Sequence, residues 1–172
     1  MITFKSLVEM TPFEVHQLYK LRVDVFVAEQ YCPFNEIDDQ DADPETRHIL
    51  AFDGKTLSGC ARVFPTGGGS RFGRFVVHPD FRGSGLGPEI VRTGIEYTKR
   101  FGGDLIVEAQ SGLVGYYEQF GLVAEGDEFL DTGIPHRIMR LACYNGPISV
   151  PRCADTYLIL PHACWTPGRL IR

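Results

Sequence analysis

The chain of 172 residues has no apolar run approaching the ~20 residues that a membrane span needs. Its opening Met1-Ile2-Thr3-Phe4-Lys5 lacks the basic stretch and long apolar core of a secretion signal. The expectation is a cytoplasmic protein with no membrane partner. Cysteine is sparse: Cys32, Cys60, Cys143, Cys153 and Cys164 are an odd number at no framework spacing, which favours buried free thiols over disulfides. No short C-x-x-C pair accompanies Cys143, Cys153, His162 and Cys164, so no metal site is expected. Charge is also low, at 23% of residues, with no like-charge block longer than four residues, which excludes a basic nucleic-acid surface. The net charge of −5 favours a cationic partner instead. No internal repeat is visible, and at roughly 150 residues per domain the length suits one domain.

Hydrophobic patterning is what the chain does have. Residues 2–8 alternate as a strand, and Thr11-Pro12-Phe13-Glu14 supplies an N-cap, a first-turn proline and a capping-box carboxylate. Val15, Leu18, Leu21, Val25 and Ala28 then predict one buried helical face reaching about Glu29. The acidic stretch from Cys32 to Pro44, with Glu36, Asp38, Asp39, Asp41 and Asp43, reads as a solvated loop able to steer a cation. Strands are predicted at 47–52 and 56–64 around an Asp53-Gly54 turn, with a flexible Gly67–Ser70 connection and a strand at 71–77. A helix over 88–101 closed by Gly102-Gly103, a strand at 104–109, a helix at 113–120 and strands at 122–130 and 134–142 complete the pattern. The order predicts an α/β (α+β) fold, a mixed central sheet of about seven strands with helices on both faces. Residues 1–144 form the expected domain. Residues 145–172, punctuated by Pro147, Pro151, Pro161 and Pro167, are expected as a C-terminal arm packing on the domain or on a partner subunit, which allows a homodimer.

The most informative stretch is Phe75-Val76-Val77-His78-Pro79-Asp80-Phe81-Arg82-Gly83-Ser84-Gly85-Leu86-Gly87-Pro88, a strand leading through a glycine-rich turn into a helix. Such a turn presents backbone N–H groups at the positive end of a helix, where a phosphate binds without a lysine, and Arg82 adds a cation. A nucleotide P-loop would need Gly-Lys-Ser/Thr, and the chain continues Gly87-Pro88-Glu89. A G-x-G-x-x-G dinucleotide turn from Gly85 would need glycine where Ile90 stands. What fits is R-x-x-G-x-G, spelled Arg82-Gly83-Ser84-Gly85-Leu86-Gly87, which resembles the acetyl-CoA pyrophosphate loop of the GNAT N-acetyltransferases.

Tyr116-Tyr117-Glu118-Gln119-Phe120-Gly121-Leu122 is similar to that family's aromatic-Tyr-x-x-x-Gly-aliphatic signature. Leu21-Arg22, Val25-Phe26, Glu29-Gln30, Cys32-Pro33, Thr46 to Leu50, Ala109-Gln110 and Gly133 to His136 together resemble its ElaA-like branch, over roughly residues 10–142. Gly115 departs from the pattern, standing where relatives often carry an Asn for the pantetheine arm.

The resemblance implies a GNAT fold in which strands 71–77 and 104–110 diverge, pantetheine lies near Val76 and Val77, and the diphosphate meets Arg82, Gly83, Ser84, Gly85, Leu86 and Gly87. It implies direct attack of an amine on acetyl-CoA, with Tyr117 protonating the departing thiolate. The absence of a G-x-S-x-G elbow agrees with a route lacking a covalent enzyme intermediate. Candidate groups for the amine's proton are Glu29, His48 and His136. Gln30, Gln110 and Glu108 are the expected substrate-side groups, and the acceptor is a small-molecule or peptide amine. His78, just before Pro79, is assigned to the turn's structure. A binding or regulatory module that keeps the acetyl-CoA pocket without turnover is the competing function.

Overall fold

The computed structural model describes residues 1–31 and 35–142. The expected C-terminal arm, and every cysteine except Cys60, lie outside the described residues. Seven strands form one mixed sheet in the order β1-β2-β3-β4-β5-β7-β6. They are β1 (Ile2–Lys5), β2 (Arg47–Asp53), β3 (Thr56–Thr66), β4 (Gly69–Val77), β5 (Asp104–Gln110), β6 (Val123–Asp131) and β7 (Ile134–Leu141). All neighbours are antiparallel except β4 and β5. Helix α1 (Pro12–Arg22) covers one face, while α2 (Leu86–Thr98) and α3 (Val114–Glu118) cover the other.

Strand periodicity sorts the two cores. Ile49, Ala61, Val63, Phe72, Val107 and Met139 pack with Ile90, Val91 and Ile95 of α2, whereas Leu50, Cys60 and Val76 pack with Leu18 and Leu21 of α1. Burial pushes the Cys60 thiol up to about 12, which makes it an inert core group. No helix of the described residues is long and apolar enough to cross a membrane.

α1 begins as its sequence predicts, with the Thr11 hydroxyl accepting from the Glu14 amide at 3.2 Å and the Glu14 carboxylate accepting from the Thr11 amide at 2.8 Å. It does not continue regularly to Glu29. Residues Val23–Glu29 form a π-helical turn, so the period of the apolar face is lost there and Ala28 is exposed. The turn delivers Glu29 and Gln30 to the open side of the sheet.

Two glycine contacts differ from expectation and matter for the site. Gly67 and Gly68 make a tight β3–β4 turn rather than a loose connection, because β4 starts at Gly69 instead of Arg71. A β-carbon on Gly69 would lie 2.0 Å from the Asp104 carbonyl, and one on Gly103 would lie 2.3 Å from the Gly68 carbonyl. These positions clamp the starts of β4 and β5 together. The β2–β3 turn is displaced by one residue, to Gly54-Lys55, since Asp53 still pairs with Thr56. α2 begins two residues before the expected Pro88 and passes into a 3₁₀ turn at Lys99.

Candidate active site

From the glycine clamp, β4 and β5 diverge. Parallel pairing covers Gly69–Arg71 with Asp104–Ile106, and beyond Arg71 the β5-facing backbone edge of β4 has no strand partner among the described residues. A bulge helps: between Cys60 and Arg62 the β3–β4 register shifts, and Arg74 sits in the left-handed region at φ 50°. Val76 and Val77 remain paired with β3 opposite Cys60 and Gly59, so one edge is held while the other opens to the cleft.

The loop after β4 carries the glycine motif. Gly83 and Gly85 adopt φ values of 75° and 83°, with nothing within 4 Å of a β-carbon position at either. Gly85 caps α2. In this loop the Arg82 amide bonds to Pro79 O and the Glu89 amide to Gly85 O, while the Ser84 hydroxyl donates to Phe81 O at 2.6 Å. The intervening amides lie at the positive end of a 13-residue helix, a cradle of the right chemistry for a diphosphate. Arg82, the cation expected there, is itself ion-paired. Its Nη1 and Nη2 donate to the two Glu29 carboxylate oxygens at 2.8 Å each, and its Nε donates to Val77 O at 3.3 Å.

Both tyrosines of the motif lie on α3. Tyr117 is 4% exposed in the core beside Phe120 and Leu122, and burial raises its pKa above the ordinary 10. Tyr116 stacks on Phe75 of β4 with ring centroids 6.1 Å apart. Its hydroxyl is buried, has no hydrogen-bond partner among the described residues, and lies 3.3 Å from where a β-carbon on Gly87 would be. The signal that places its hydroxyl beside the loop is the pairing of Phe75 in β4 with an aromatic on α3, which is tertiary and not visible in the motif. Gly115 has open space around it, so its missing side chain is not enforced by crowding.

Where β5 ends, the Gln110 amide donates to the Gln30 side-chain oxygen at 3.4 Å, joining the π-helical turn to β5. His136 faces Gln110 across the β5–β7 ladder and lies against Phe129. Its Nδ1 is 2.8 Å from Ile134 O, an arrangement that favours the proton on Nδ1 and leaves Nε2 as the basic nitrogen. Thus Gln30, Gln110 and His136 converge.

Three other expectations are corrected. His48 is fully buried in β2 with Nε2 3.0 Å from Asp41 O, and burial lowers its pKa, so it is a core group that no amine reaches. Glu29 has both oxygens committed to Arg82 and is not a free base. Glu108 is ion-paired with Arg71 across the β4–β5 opening and is likewise engaged. The acidic loop is not a steering surface either. Arg22 binds Glu36 and Asp41, Arg62 binds Asp38 and Asp41, and Arg74 binds Asp38, which locks three of its carboxylates against the sheet. No cluster of metal-ligating side chains occurs among the described residues.

A mixed sheet opened between its parallel strands, with a glycine cradle at the mouth, is the architecture of an acyl-CoA-dependent N-acyltransferase. The GNAT acetyltransferase domain model matches residues 15–143. The chain is 37% identical over 131 residues to the UPF0039 protein Mb2876c of Mycobacterium bovis, covering 71% of this chain and 80% of that protein. It is 29% identical over 133 residues to Protein ElaA of Escherichia coli, covering 74% of this chain and 87% of the relative. A crystal structure of an acyl-CoA N-acyltransferase from Pseudomonas aeruginosa superposes with a TM-score of 0.77 at 31% identity, covering 83% of this chain and 99% of that one. The chain belongs to the GNAT acetyltransferase family, in its ElaA-like branch.

Proposed function

We propose that the protein transfers the acetyl group of acetyl-CoA directly to a primary amine of a small molecule or peptide. The observation that carries this reading is that β4 and β5 part beyond Arg71, with the cradle at Gly83–Gly87 following one strand and the Gln30–Gln110 contact, opposite His136, at the end of the other. Acetyl-CoA supplies an activated acyl carbonyl and a thiolate leaving group. The amides from Gly83 to Gly87 and the N-terminus of α2 bind the diphosphate. Backbone N–H groups of the open β4 edge near Val76 and Val77 hold the pantetheine arm and polarise the acyl carbonyl, the kind of preorganised donor that contributes most to acyl transfer.

His136 Nε2 takes a proton from the acceptor ammonium, directly or through one water, while the two glutamine amides orient the amine. Tyr117 stays protonated because burial disfavours its phenolate; it gives its proton to the departing sulfur and regains one from the attacking nitrogen, which sheds its extra proton as the amide forms. Tyr116 seals the cleft against β4 and offers its unpartnered hydroxyl to the ligand beside Gly87. The test is release of free thiol from acetyl-CoA with a panel of polyamines, amino acids and lysine peptides, run beside calorimetry with CoA. Thiol release with binding supports the transferase. Binding without release for any acceptor supports a CoA-dependent binding module, and no binding at millimolar CoA overturns both.

A further inference from the structure

Glu29 and Arg82 are 53 residues apart in sequence and meet in a two-pronged ion pair, with both N···O distances at 2.8 Å. The pair is half-buried, at 19% exposure for the Arg82 side chain and 32% for Glu29. The third guanidinium donor, Nε, reaches Val77 O at the end of β4. Arg82 therefore ties together the cofactor loop, the strand that leads into it and the last residue of the π-helical turn. The residue that follows the turn, Gln30, contacts Gln110 at the proposed acceptor end. An arginine whose fork is filled by a carboxylate carries little net charge toward a third group, so it suits a strut better than a phosphate ligand.

We infer that Glu29 is a positioning residue: through Arg82 it fixes the loop from Gly83 to Gly87 in its diphosphate-binding shape and couples the acceptor side to cofactor affinity. The inference rests on the proposed function for the identity of the ligand, but not for the order of the loop. In the free protein, a strut of this kind restrains the glycines at 83 and 85, whose backbone is otherwise unhindered. With CoA bound, the restraint appears as affinity, because less ordering remains to be done on binding. By linkage, an amine that orders Gln30 strengthens CoA binding by the same factor that CoA strengthens amine binding.

The experiment is a double-mutant cycle on the full chain with Glu29→Ala, Arg82→Ala and the double variant, read by calorimetry with CoA, steady-state kinetics and amide hydrogen exchange. Each single variant is expected to weaken CoA about tenfold, the order of one charge-assisted contact, and the double variant to weaken it no further. KM for acetyl-CoA should rise in step while kcat holds within about threefold, and Glu29→Gln, which keeps one acceptor oxygen, should fall between wild type and Glu29→Ala. Exchange at the Gly83–Gly87 amides of the free protein should quicken in Glu29→Ala. Additive losses of about a hundredfold in the double variant would overturn the inference, as would loss in Arg82→Ala with Glu29→Ala unaffected. A fall in kcat at constant KM would make Glu29 a base and overturn it too. If wild type fails to bind CoA, the proposed function falls by itself. The exchange experiment still decides the strut, because unchanged loop exchange in Glu29→Ala rejects it.

Discussion

Two arginine–carboxylate assemblies flank the opened sheet, and they differ in burial more than in chemistry. Around Arg22, which is completely buried, Glu36 and Asp41 pair with the guanidinium, and Arg62 joins Asp41 and Asp38. At the cofactor loop, Arg82 meets Glu29 near solvent. In the buried assembly, removing one partner strands a charge in a low-dielectric site, so the penalty falls on folding. In the half-exposed pair, water solvates whatever is left behind, so little stability is at stake and what remains is local order. The same side-chain types therefore hold the fold in one place and tune a loop in the other. Burial raises the Glu36 pKa even beside Arg22, whereas the hydrogen bonds and charges of Arg22 and Arg62 outweigh burial at Asp41 and leave its carboxyl below the ordinary 3.8.

The contrast is broken most forcefully at Asp41. Asp41→Ala leaves Arg22 and Arg62 short of a shared acceptor, and urea denaturation should show a loss of about 3–5 kcal/mol. A loss below about 1 kcal/mol would mean that water reaches the assembly and that its burial is not what matters. Arg74, bound to Asp38 and held at positive φ in the β4 bulge, links this assembly to the cleft, so the folded fraction of Asp41→Ala should also bind CoA more weakly than wild type.

Next in size are the side chains proposed to act on the reaction and not on the fold. Tyr117→Phe should lower kcat by roughly 10²–10⁴-fold with CoA affinity retained, and an unchanged kcat would transfer the donor role elsewhere. Tyr116→Phe separates the neighbours. Its hydroxyl has no hydrogen-bond partner among the described residues, so stability should hold while the KM for acetyl-CoA rises by a few-fold. His136→Gln keeps a donor for Ile134 O but no basic nitrogen, and should lower kcat by roughly 10²-fold at neutral pH. Activity that recovers as pH approaches the acceptor amine's own pKa would identify the lost group as the base.

How much of this was legible beforehand follows the range of the interactions. The Thr11–Glu14 capping box and the Arg82–Gly87 motif are local, and each is found where its residues predict, whereas the strand expected over residues 2–8 stops at Lys5 and gives way to a 3₁₀ turn at Leu7–Glu9. The π-helical turn at Val23–Glu29 was not legible, because it depends on the buried Arg22 and on what Glu29 and Gln30 reach across the cleft. The acidic loop was misread for a related reason. A run of carboxylates looks solvated until the arginines that neutralise it are known, and Arg22, Arg62 and Arg74 come from three separate elements. His48 carries no mark of burial in its own type, and only its place in β2, between strands on either side, removes it from the candidate bases.

The smallest expected effect tests His48 as part of the buried assembly. Burial lowers its pKa below the ordinary 6.5, so the folded chain resists a proton that the unfolded chain accepts. Stability should therefore decline as pH falls through about 6.5 toward the folded-state value, and not above that range. Glu36 works in the opposite direction. Its raised pKa means that the folded state accepts a proton before the unfolded state does, so protonation relieves a burial penalty as pH falls toward the ordinary 4.5. Asp38 and Asp41, with lowered values, contribute stability that is lost only as pH drops below the ordinary 3.8. Between pH 7.5 and 5.5, then, the histidine should dominate. His48→Gln retains a donor for Asp41 O without a titrating ring, so its urea midpoint should change less over that interval than the wild-type midpoint does. Parallel declines in the two proteins would show that His48 is protonated in the folded state, which would place water inside the assembly and erase the difference in burial from the Glu29–Arg82 pair.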